Sequence, residues 1–352
     1  MASTIADVAA RAGVSTATVS RVLAGLGGAT PATRQRVMTA ARDLGYRPSG
    51  VARSLKLRTT KTLGLIVTDI ANPYFPQLVR AVEDAALARQ YVVLLCNAAD
   101  DPEREVAYLE LLAERRVDGL VVASSGVGER HASWLATAPV PVVLINTTAP
   151  LAGSALPAVL SDNRAGGRLA AEHVIGLGHR RIGHVTAPDW NTAAPERLAG
   201  IEDALTAAGL DPALTLAIAE GDGHVAGAES ATVSLLDRPV PPTALLAYND
   251  LSAIGAIRAV RARGLRVPED VSVVGFDDVE LAAYSGPPLT TVAQATAEMG
   301  HWAVERLVDG RRRPKDEPLV VRLPVRIVVR ASTGPAPRVR WAAGSTSGRG
   351  AI

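Results

Sequence analysis

A repeated alternation of short apolar runs and amphipathic segments after residue 61 constrains the fold most. One series of runs is TLGLIVTD, YVVLLCN, GLVVAS and PVVLINT, and a second is PAVLSD, RIGHVTA, TALLAYND and VSVVGFDD. Segments with helical spacing of apolar residues, such as FPQLVRAVEDAALARQ and EREVAYLELLAERR, separate them. Short β-branched runs that alternate with helices are typical of parallel strands buried on both faces. The sequence therefore predicts an α/β fold with two doubly wound parallel sheets.

Polar residues gather where these predicted strands end. Ligands of open parallel sheets bind beyond the carboxyl ends of the strands, so these residues are candidate ligand contacts. Asp and Asn also cap the helix that follows a strand, and the pattern alone leaves both roles open. The strand-end residues are Asp69, Asn72, Ser124, Ser125, Asn146, Asp162, Asn249, Asp250, Asp277 and Asp278.

The start of the chain has a different pattern, that of three short helices. Thr4 and Asp7 have capping-box spacing, and apolar residues then recur at helical intervals. A glycine-containing turn follows this helix, Ser15 can cap a second helix, and Thr30 before a proline starts a third. Two short helices around a tight turn predict a helix-turn-helix unit.

The net charge of +2 hides an asymmetry between these two parts of the chain. Residues 1–60 hold nine basic and two acidic residues, a net charge of +7, whereas the remainder holds 28 basic and 33 acidic residues, a net charge of −5. A basic module suggests a polyanionic partner, although a solvated basic surface is the alternative. Hydroxyl side chains and Arg21 on the second helix suit phosphate contacts and guanine readout, which favours DNA.

The order of the motifs is similar to that of a known family. The head motifs are TIADVAARAGVSTATVSRVLAG and TRQRVMTAARDLGYRPSGVARSL, and the body motifs are NPYF, SDNRAGGRLAAEHVIGLGHRRIGHV, ERLAGIEDAL, YNDLSAIGAIRAVRARGLRVPEDVSVVGFDD and PPLTTVAQATAEMG. Over residues 3–334 this series resembles the LacI family of transcriptional regulators. The resemblance implies a helix-turn-helix head, a hinge helix, and a two-subdomain, Rossmann-like body of the type I periplasmic-binding-protein fold with the ligand in its cleft.

The resemblance and the composition also predict domain boundaries. The expected units are a DNA-binding head at 1–46, a hinge helix and linker at 47–60, and an effector-binding body at 61–334. Within the body, the N-subdomain is expected at about 61–160 and 290–322, and the C-subdomain at about 161–289 and 323–334. Residues 335–352 are rich in Gly, Ser, Ala and Pro, which predicts a disordered tail.

The resemblance implies which residues of the head contact DNA. Thr16 and Ala17 would read bases at the start of the recognition helix, and Leu55 of the hinge helix would wedge into the minor groove, kinking the duplex. A linker whose leucine packs on the body is the alternative for Leu55. The full set of expected DNA contacts is Thr4, Ser15, Thr16, Ala17, Thr18, Ser20, Arg21, Arg53 and Leu55.

The resemblance implies an effector site as well. Carboxylates accept paired hydroxyls, arginine donates to oxygens and aromatic rings cover apolar sugar faces, so the set suits a carbohydrate-like ligand. A structural ion pair with a cleft aspartate is the alternative for Arg197. The leading contacts are Arg197, Asn249, Asp250 and Asp277, and behind them are Asn72, Phe75, Asp162, Trp190 and Gln294.

Other classes of protein lack support in the sequence. The six histidines show no metal-ligand spacing, and no dinucleotide, P-loop or nucleophile motif occurs, so we expect no metal, no cofactor and no catalytic site. No apolar run is long enough to cross a membrane, and the N-terminus lacks signal-peptide character. These observations predict a cytoplasmic protein.

The combined interpretation is a ligand-responsive repressor. We expect a homodimer that binds double-stranded, roughly palindromic operator DNA and is released by a small carbohydrate-like effector. The sequence leaves open the effector's identity and whether it induces or co-represses. One alternative is a soluble sugar-binding or sugar-processing protein with an accessory helical head. Another, an architectural DNA binder, does not explain the large body.

Overall fold

The structure is a computed structural model that describes residues 3–25, 27–46, 59–123, 129–148, 156–188, 190–310 and 318–338. The chain divides into two compact units after Lys61. Arg53 and Leu55 of the predicted hinge helix lie outside the described residues, as do Ser124 and Ser125. None of the helices in the described part of the chain is long and apolar enough to cross a membrane.

The first unit contains three helices, as the sequence predicts. They are α1 (Ile5–Ala12), α2 (Thr16–Leu23) and α3 (Pro31–Asp43). The Thr4 hydroxyl accepts the Asp7 N–H at 3.3 Å, and the Asp7 carboxylate accepts the Thr4 N–H at 2.8 Å, which completes the capping box. The Ser15 and Thr30 hydroxyls cap the other two helices. Apolar side chains between the helices, with Val8, Val19 and Val37 fully buried, form the core of this unit.

The second unit contains two sheets, and the first sheet is parallel throughout. Its order is β11-β5-β4-β3-β1-β2. Leu65 and Val67 belong to one apolar cluster and Ile66 to another, so both faces of β1 are buried. Its elements are β1 (Thr62–Val67), α4 (Tyr74–Ala88), β2 (Val92–Asn97), α5 (Pro102–Glu114), β3 (Gly119–Ala123), α6 (Glu129–Ala136), β4 (Val142–Ile145), β5 (Ala158–Ser161) and β11 (Val320–Leu323).

The second sheet has the order β12-β10-β9-β8-β6-β7, and only the β10–β12 pair is antiparallel among its described neighbours. Its elements are α7 (Asn163–Gly176), β6 (Ile182–Thr186), α8 (Ala193–Ala207), α9 (Pro212–Thr215), β7 (Leu216–Glu220), α10 (Val225–Leu236), β8 (Ala244–Ala247), α11 (Asp250–Ala262), β9 (Ser272–Asp277), α12 (Glu280–Tyr284), β10 (Thr290–Ala293) and β12 (Arg326–Val328). The predicted α/β fold class with two sheets is confirmed.

The chain passes between the two sheets three times. It crosses after β5, after β10 and between β11 and β12, and helix α13 (Thr296–Asp309) lies against α4 of the first subdomain. The predicted return to the N-subdomain at residue 290 is wrong, because β10 pairs with β9 of the second sheet. A short β-branched strand fits either sheet, and long-range pairing decides between them.

The segment after β12 is ordered further than predicted. The Gly334 carbonyl lies 3.0 Å from His179 Nε2, and the Ala336 N–H donates to the Leu177 carbonyl at 2.9 Å. The predicted disorder from residue 335 is therefore wrong at Ala336, whose backbone N–H bonds to the body. Residues 339–352 lie outside the described residues.

Candidate functional site

Helix α2 presents an exposed polar side in the first unit. Thr16, Ala17 and Arg21 are exposed, whereas Val19 and Val22 on the opposite side are buried. Thr18 and Ser20 are half-buried, and Ser15 is exposed at the start of the helix. An exposed side that begins at a capped helix N-terminus suits a contact with phosphates, because the first backbone N–H groups attract anions.

Two of the predicted phosphate contacts have structural roles. The Ser15 hydroxyl accepts the Thr18 N–H at 3.2 Å, and the Thr4 hydroxyl donates to the Asp7 carboxylate at 2.8 Å. The Ser15 hydroxyl that accepts the Thr18 N–H still has its own O–H to donate, so capping and a phosphate contact are compatible at Ser15, whereas the Thr4 O–H is already donated to Asp7. DNA contact by these residues stays a prediction.

A cavity that is partly open to solvent lies where the strands of both sheets end. The N-subdomain contributes the turn after β1 and the start of α4, and the C-subdomain contributes the ends of β6, β8 and β9. Seven of the nine predicted ligand contacts line it, namely Asn72, Phe75, Trp190, Arg197, Asn249, Asp277 and Gln294. Trp190 is 56% exposed, so it lies toward solvent.

Arg197 is held by neutral partners. Its Nε donates to Asn163 Oδ1 at 3.0 Å, its Nη1 donates to the Tyr248 carbonyl, and its guanidinium lies 3.5 Å from the centroid of the Phe276 ring. Stacking on an aromatic ring orients the planar guanidinium. Arg197 therefore bonds to neutral groups here and not, as the alternative from the sequence had it, to a cleft aspartate. The same contacts hold its guanidinium, a hydrogen-bond donor, at the wall of the cavity.

The close approach of α7 and α8 places Arg197. A Cβ atom at Gly200 would collide with the Arg164 carbonyl, and a Cβ atom at Gly167 would collide with the Arg197 carbonyl. Glycine at both positions therefore allows the two helix backbones to touch. The sequence signal for this contact is the glycine in each of the motifs SDNRAGGRLAAEH and ERLAGIEDAL.

Asp277 ends β9 and is 6% exposed. Burial raises the pKa of Asp277 to about 6, although the positive charge of Arg197 and a hydrogen bond from Gln294 oppose the shift. Gln294 Nε2 donates to Asp277 Oδ1 at 2.6 Å, and Gln294 Oε1 accepts from Asn146 Nδ2 at 3.0 Å and from the Ser161 hydroxyl. Gln294 thereby joins the ends of both sheets at the second crossing.

Two predicted contacts do not line the cavity. Asp250 is fully buried, and its carboxylate accepts from the Thr291 hydroxyl at 2.5 Å and from the Val279 N–H at 2.9 Å. Burial and the charge of Asp277 raise the pKa of Asp250 well above its usual range. Asp162 caps α7 by accepting the Ala165 N–H at 3.0 Å. The carboxylates of both residues bond to neighbouring backbone or hydroxyl groups, which favours a structural role, and effector contact by either residue stays a prediction.

The Asn249 side chain lines the cavity and also caps α11. Its Oδ1 accepts the Ser252 N–H at 2.7 Å, and its Nδ2 donates to the Gly223 carbonyl at 2.9 Å. Sequence reasoning missed two cavity residues, Tyr74, which is buried, and Tyr248, which is half-buried. Tyr74 stands within the NPYF motif, and Tyr248 directly precedes the cap Asn249, so both had a positional signal.

A second group that the sequence did not predict lies at the exposed edge of the cavity. We call Asp69, Asp100, Asp222 and His224 the acidic rim. One ligand atom each from Asp69, Asp100 and His224 lies within 4.8 Å of the others, a set that could hold a metal ion. His224 Nε2 is 3.2 Å from Asp100 Oδ2. Sequence spacing could not reveal this group, because the three residues come from three distant segments.

Comparison with known families gives two matches. The family described as bacterial regulatory proteins, lacI family, matches residues 4–49. A periplasmic binding protein-like domain matches residues 171–333.

Individual proteins are similar to head and body together. The HTH-type transcriptional repressor PurR of Aliivibrio salmonicida is 37% identical over 94% of this chain and 98% of its own length. A crystal structure of the lac repressor dimer bound to operator and the anti-inducer ONPF is similar with a TM-score of 0.84 and 30% identity, covering 95% of this chain and 100% of that one. A complex of the transcriptional regulator CelR with cellobiose has a TM-score of 0.69 and 34% identity, with coverage of 94% and 99%.

Proposed function

Because the chain belongs to the lacI family of bacterial regulatory proteins, we propose that it is a ligand-responsive transcriptional repressor. One observation supports this most: a helix-turn-helix unit and a two-sheet unit with a polar cavity occur in one chain, matched over 98% of a repressor's length. The head, at 1–46, binds double-stranded operator DNA, residues 47–60 form the hinge, and the body senses an effector. The similar proteins are named repressors, and we propose that this chain acts as a repressor and not as an enzyme. We further propose a cytoplasmic location.

Base readout is assigned to the exposed side of α2. Thr16, Ala17 and Arg21 contact base edges, and Thr4, Ser15, Thr18 and Ser20 contact phosphates. For the hinge we retain the proposal that Arg53 and Leu55 contact the minor groove. The exposure of Thr16, Ala17 and Arg21 supports the assignment, since base readout requires side chains that reach into the groove.

We propose a homodimer on two grounds, the exposed apolar residues of strand β2 and the dimeric state of the similar lac repressor. Val92, Leu94 and Leu95 of β2, the edge strand of the first sheet, are 64%, 44% and 43% exposed. A contiguous apolar edge is a typical protein interface, and a second copy of the chain would remove it from water. The lac repressor relative is a dimer on its operator. Two heads related by two-fold symmetry would read a palindrome.

The proposed effector is a neutral, polyhydroxylated molecule such as a sugar. Asp277 supplies carboxylate acceptors, Arg197, Asn249 and Gln294 supply polar side chains, and Asn72 lies at the start of α4. Phe75 and Trp190 supply aromatic surface on opposite subdomains. The cellobiose bound by CelR supports this class of ligand. We propose that the effector releases the repressor from DNA.

DNA binding is tested by fluorescence anisotropy with a palindromic duplex selected from random sequences. Arg21→Ala is expected to weaken specific binding about 10- to 100-fold, because one base contact of arginine contributes about 1–3 kcal/mol. Arg42→Ala on α3 removes the same charge from another exposed helix and serves as the matched control. Equal affinity for palindromic and random duplexes would favour the sugar-binding alternative over the repressor.

The effector site is tested by thermal shift against a panel of neutral sugars and nucleobases. A ligand that binds the folded state raises the melting temperature, and Asp277→Ala is expected to abolish the rise. The ligand found in this way is then added to the repressor–duplex complex, where it should lower the anisotropy. A melting shift that survives in Asp277→Ala, or a ligand that strengthens DNA binding, would contradict the proposed site or the proposed release.

A further inference from the structure

The acidic rim brings metal-ligating groups together from both subdomains. Asp69 follows β1 and Asp100 follows β2 in the N-subdomain, whereas His224 directly precedes α10 in the C-subdomain. One imidazole nitrogen and two carboxylate oxygens lie within 4.8 Å of one another across the opening of the cavity. The proposed repressor function uses none of these three residues.

The distances suit a small ion with few ligands. Zinc binds nitrogen and carboxylate oxygen at about 2.0–2.2 Å in tetrahedral sites, so two ligands of one ion lie about 3.3 Å apart. His224 Nε2 and Asp100 Oδ2 lie 3.2 Å apart in a hydrogen bond, a separation close to such an edge, so a metal ion could take the place of the shared proton. A ligand atom of Asp69 lies within 4.8 Å of both, and the side chains of the Asp100–His224 pair are about two-fifths exposed, which leaves them room to adjust.

The charge of the rim favours a cation there. The acidic rim contains three carboxylates and one imidazole. Among the described residues that line the cavity, Arg197 is the one arginine or lysine. Its guanidinium is bonded to Asn163 and to the Tyr248 carbonyl. A bound cation would relieve the repulsion among these carboxylates.

We propose that Asp69, Asp100 and His224 bind one divalent transition-metal ion, with Zn²⁺ as the best-fitting ion. The imidazole ligand and the low number of ligands favour Zn²⁺ over Mg²⁺ and Ca²⁺, which take six or more oxygens. The fourth position is left to Asp222, whose carboxylate accepts the His224 N–H at 2.8 Å, or to water. Because the ligands come from both subdomains, the ion bridges the opening of the cavity and favours the closed arrangement.

The test is isothermal titration of Zn²⁺, Mg²⁺ and Ca²⁺ into the full chain, with any affinity tag removed and the protein dialysed against a chelator. We expect one equivalent of Zn²⁺ to bind at micromolar concentration and to raise the melting temperature. His224→Ala and Asp100→Asn should each weaken Zn²⁺ binding at least tenfold. The matched control is His301→Ala on α13, an exposed imidazole bonded to the Ala297 carbonyl of its own helix, which should leave binding unchanged.

The proposal is overturned if Zn²⁺ binds no more tightly than Mg²⁺, or if His224→Ala and His301→Ala bind Zn²⁺ equally well. Far-ultraviolet circular dichroism of each variant checks that a loss of binding is not a loss of fold. The titration requires neither DNA nor effector, so its failure leaves the repressor function intact. Conversely, if the chain binds Zn²⁺ but shows no preference for palindromic DNA, the metal-site proposal stands and the repressor proposal is contradicted.

Discussion

Asp277→Asn is expected to stabilise the fold at neutral pH while removing the effector response. The carboxyl group is buried, and its pKa is raised to about 6, compared with about 3.9 in an unfolded chain. Since one pKa unit corresponds to about 1.4 kcal/mol, the charged form costs about 3 kcal/mol in the folded state at pH 7.5. The asparagine carbonyl can still accept the hydrogen bond from Gln294. The pKa of about 6 already includes the opposing attraction of Arg197 and the hydrogen bond from Gln294, and the amide does not reproduce every contact of the carboxylate, so we expect an increase of about 1–3 kcal/mol in the free energy of unfolding.

The pH dependence identifies the cause of this gain. Folding raises the pKa of this carboxyl group, so the protein is more stable when the group is protonated than when it is charged. The free energy of unfolding is therefore highest below the unfolded pKa of about 3.9 and falls as pH rises through the folded pKa of about 6. The advantage of Asp277→Asn should therefore be complete above pH 6 and nearly absent at pH 4. Urea unfolding followed by tryptophan fluorescence at pH 4.5, 6 and 7.5 measures it, and an unchanged urea dependence checks two-state behaviour.

Two results would refute this reasoning. If Asp277→Asn is less stable than the wild type at pH 7.5, the carboxylate makes contacts worth more than its burial. If the difference between the two proteins is the same at pH 4.5 and 7.5, a change of packing rather than of charge is responsible.

Two further predictions concern glycine and capping. Gly200→Ala should lower the free energy of unfolding, measured by urea denaturation, by at least about 2 kcal/mol, because its Cβ would collide with the Arg164 carbonyl. The control is Gly176→Ala, which should be neutral or stabilising because no atom lies within 4 Å of its Cβ. Equal effects of the two substitutions would contradict the proposed contact of α7 and α8. Thr4→Ala should lower the stability of the head by about 1 kcal/mol through loss of the capping box with Asp7, measured by thermal unfolding of the full chain, whereas an unchanged head transition would show that the cap adds nothing.

The head could be predicted almost completely, because its signals are local. Thr4, Ser15 and Thr30 are caps whose partners lie three residues away, and the structure contains each of these bonds. The strands of the body were also predictable from continuous apolar runs. The sheet that each strand joins is not a local property, which is why β10 was assigned to the wrong subdomain.

The cavity shows the same limit at the level of single residues. Asp250 and Asp277 both follow apolar strands and look equivalent in the sequence. Asp250 lies in the first turn of α11 and is covered by the Val279 N–H and the Thr291 hydroxyl, whereas Asp277 lines the cavity. The acidic rim was not predictable, because Asp100 and His224 meet only after both sheets have formed.

The position of Gln294 at a crossing has a consequence for genetics. It holds Asp277 of one sheet and Asn146 and Ser161 at the ends of strands in the other. Because Gln294 is both a proposed effector contact and the link between the two sheets, a screen for alleles that stay repressed in the presence of effector should recover substitutions at this crossing.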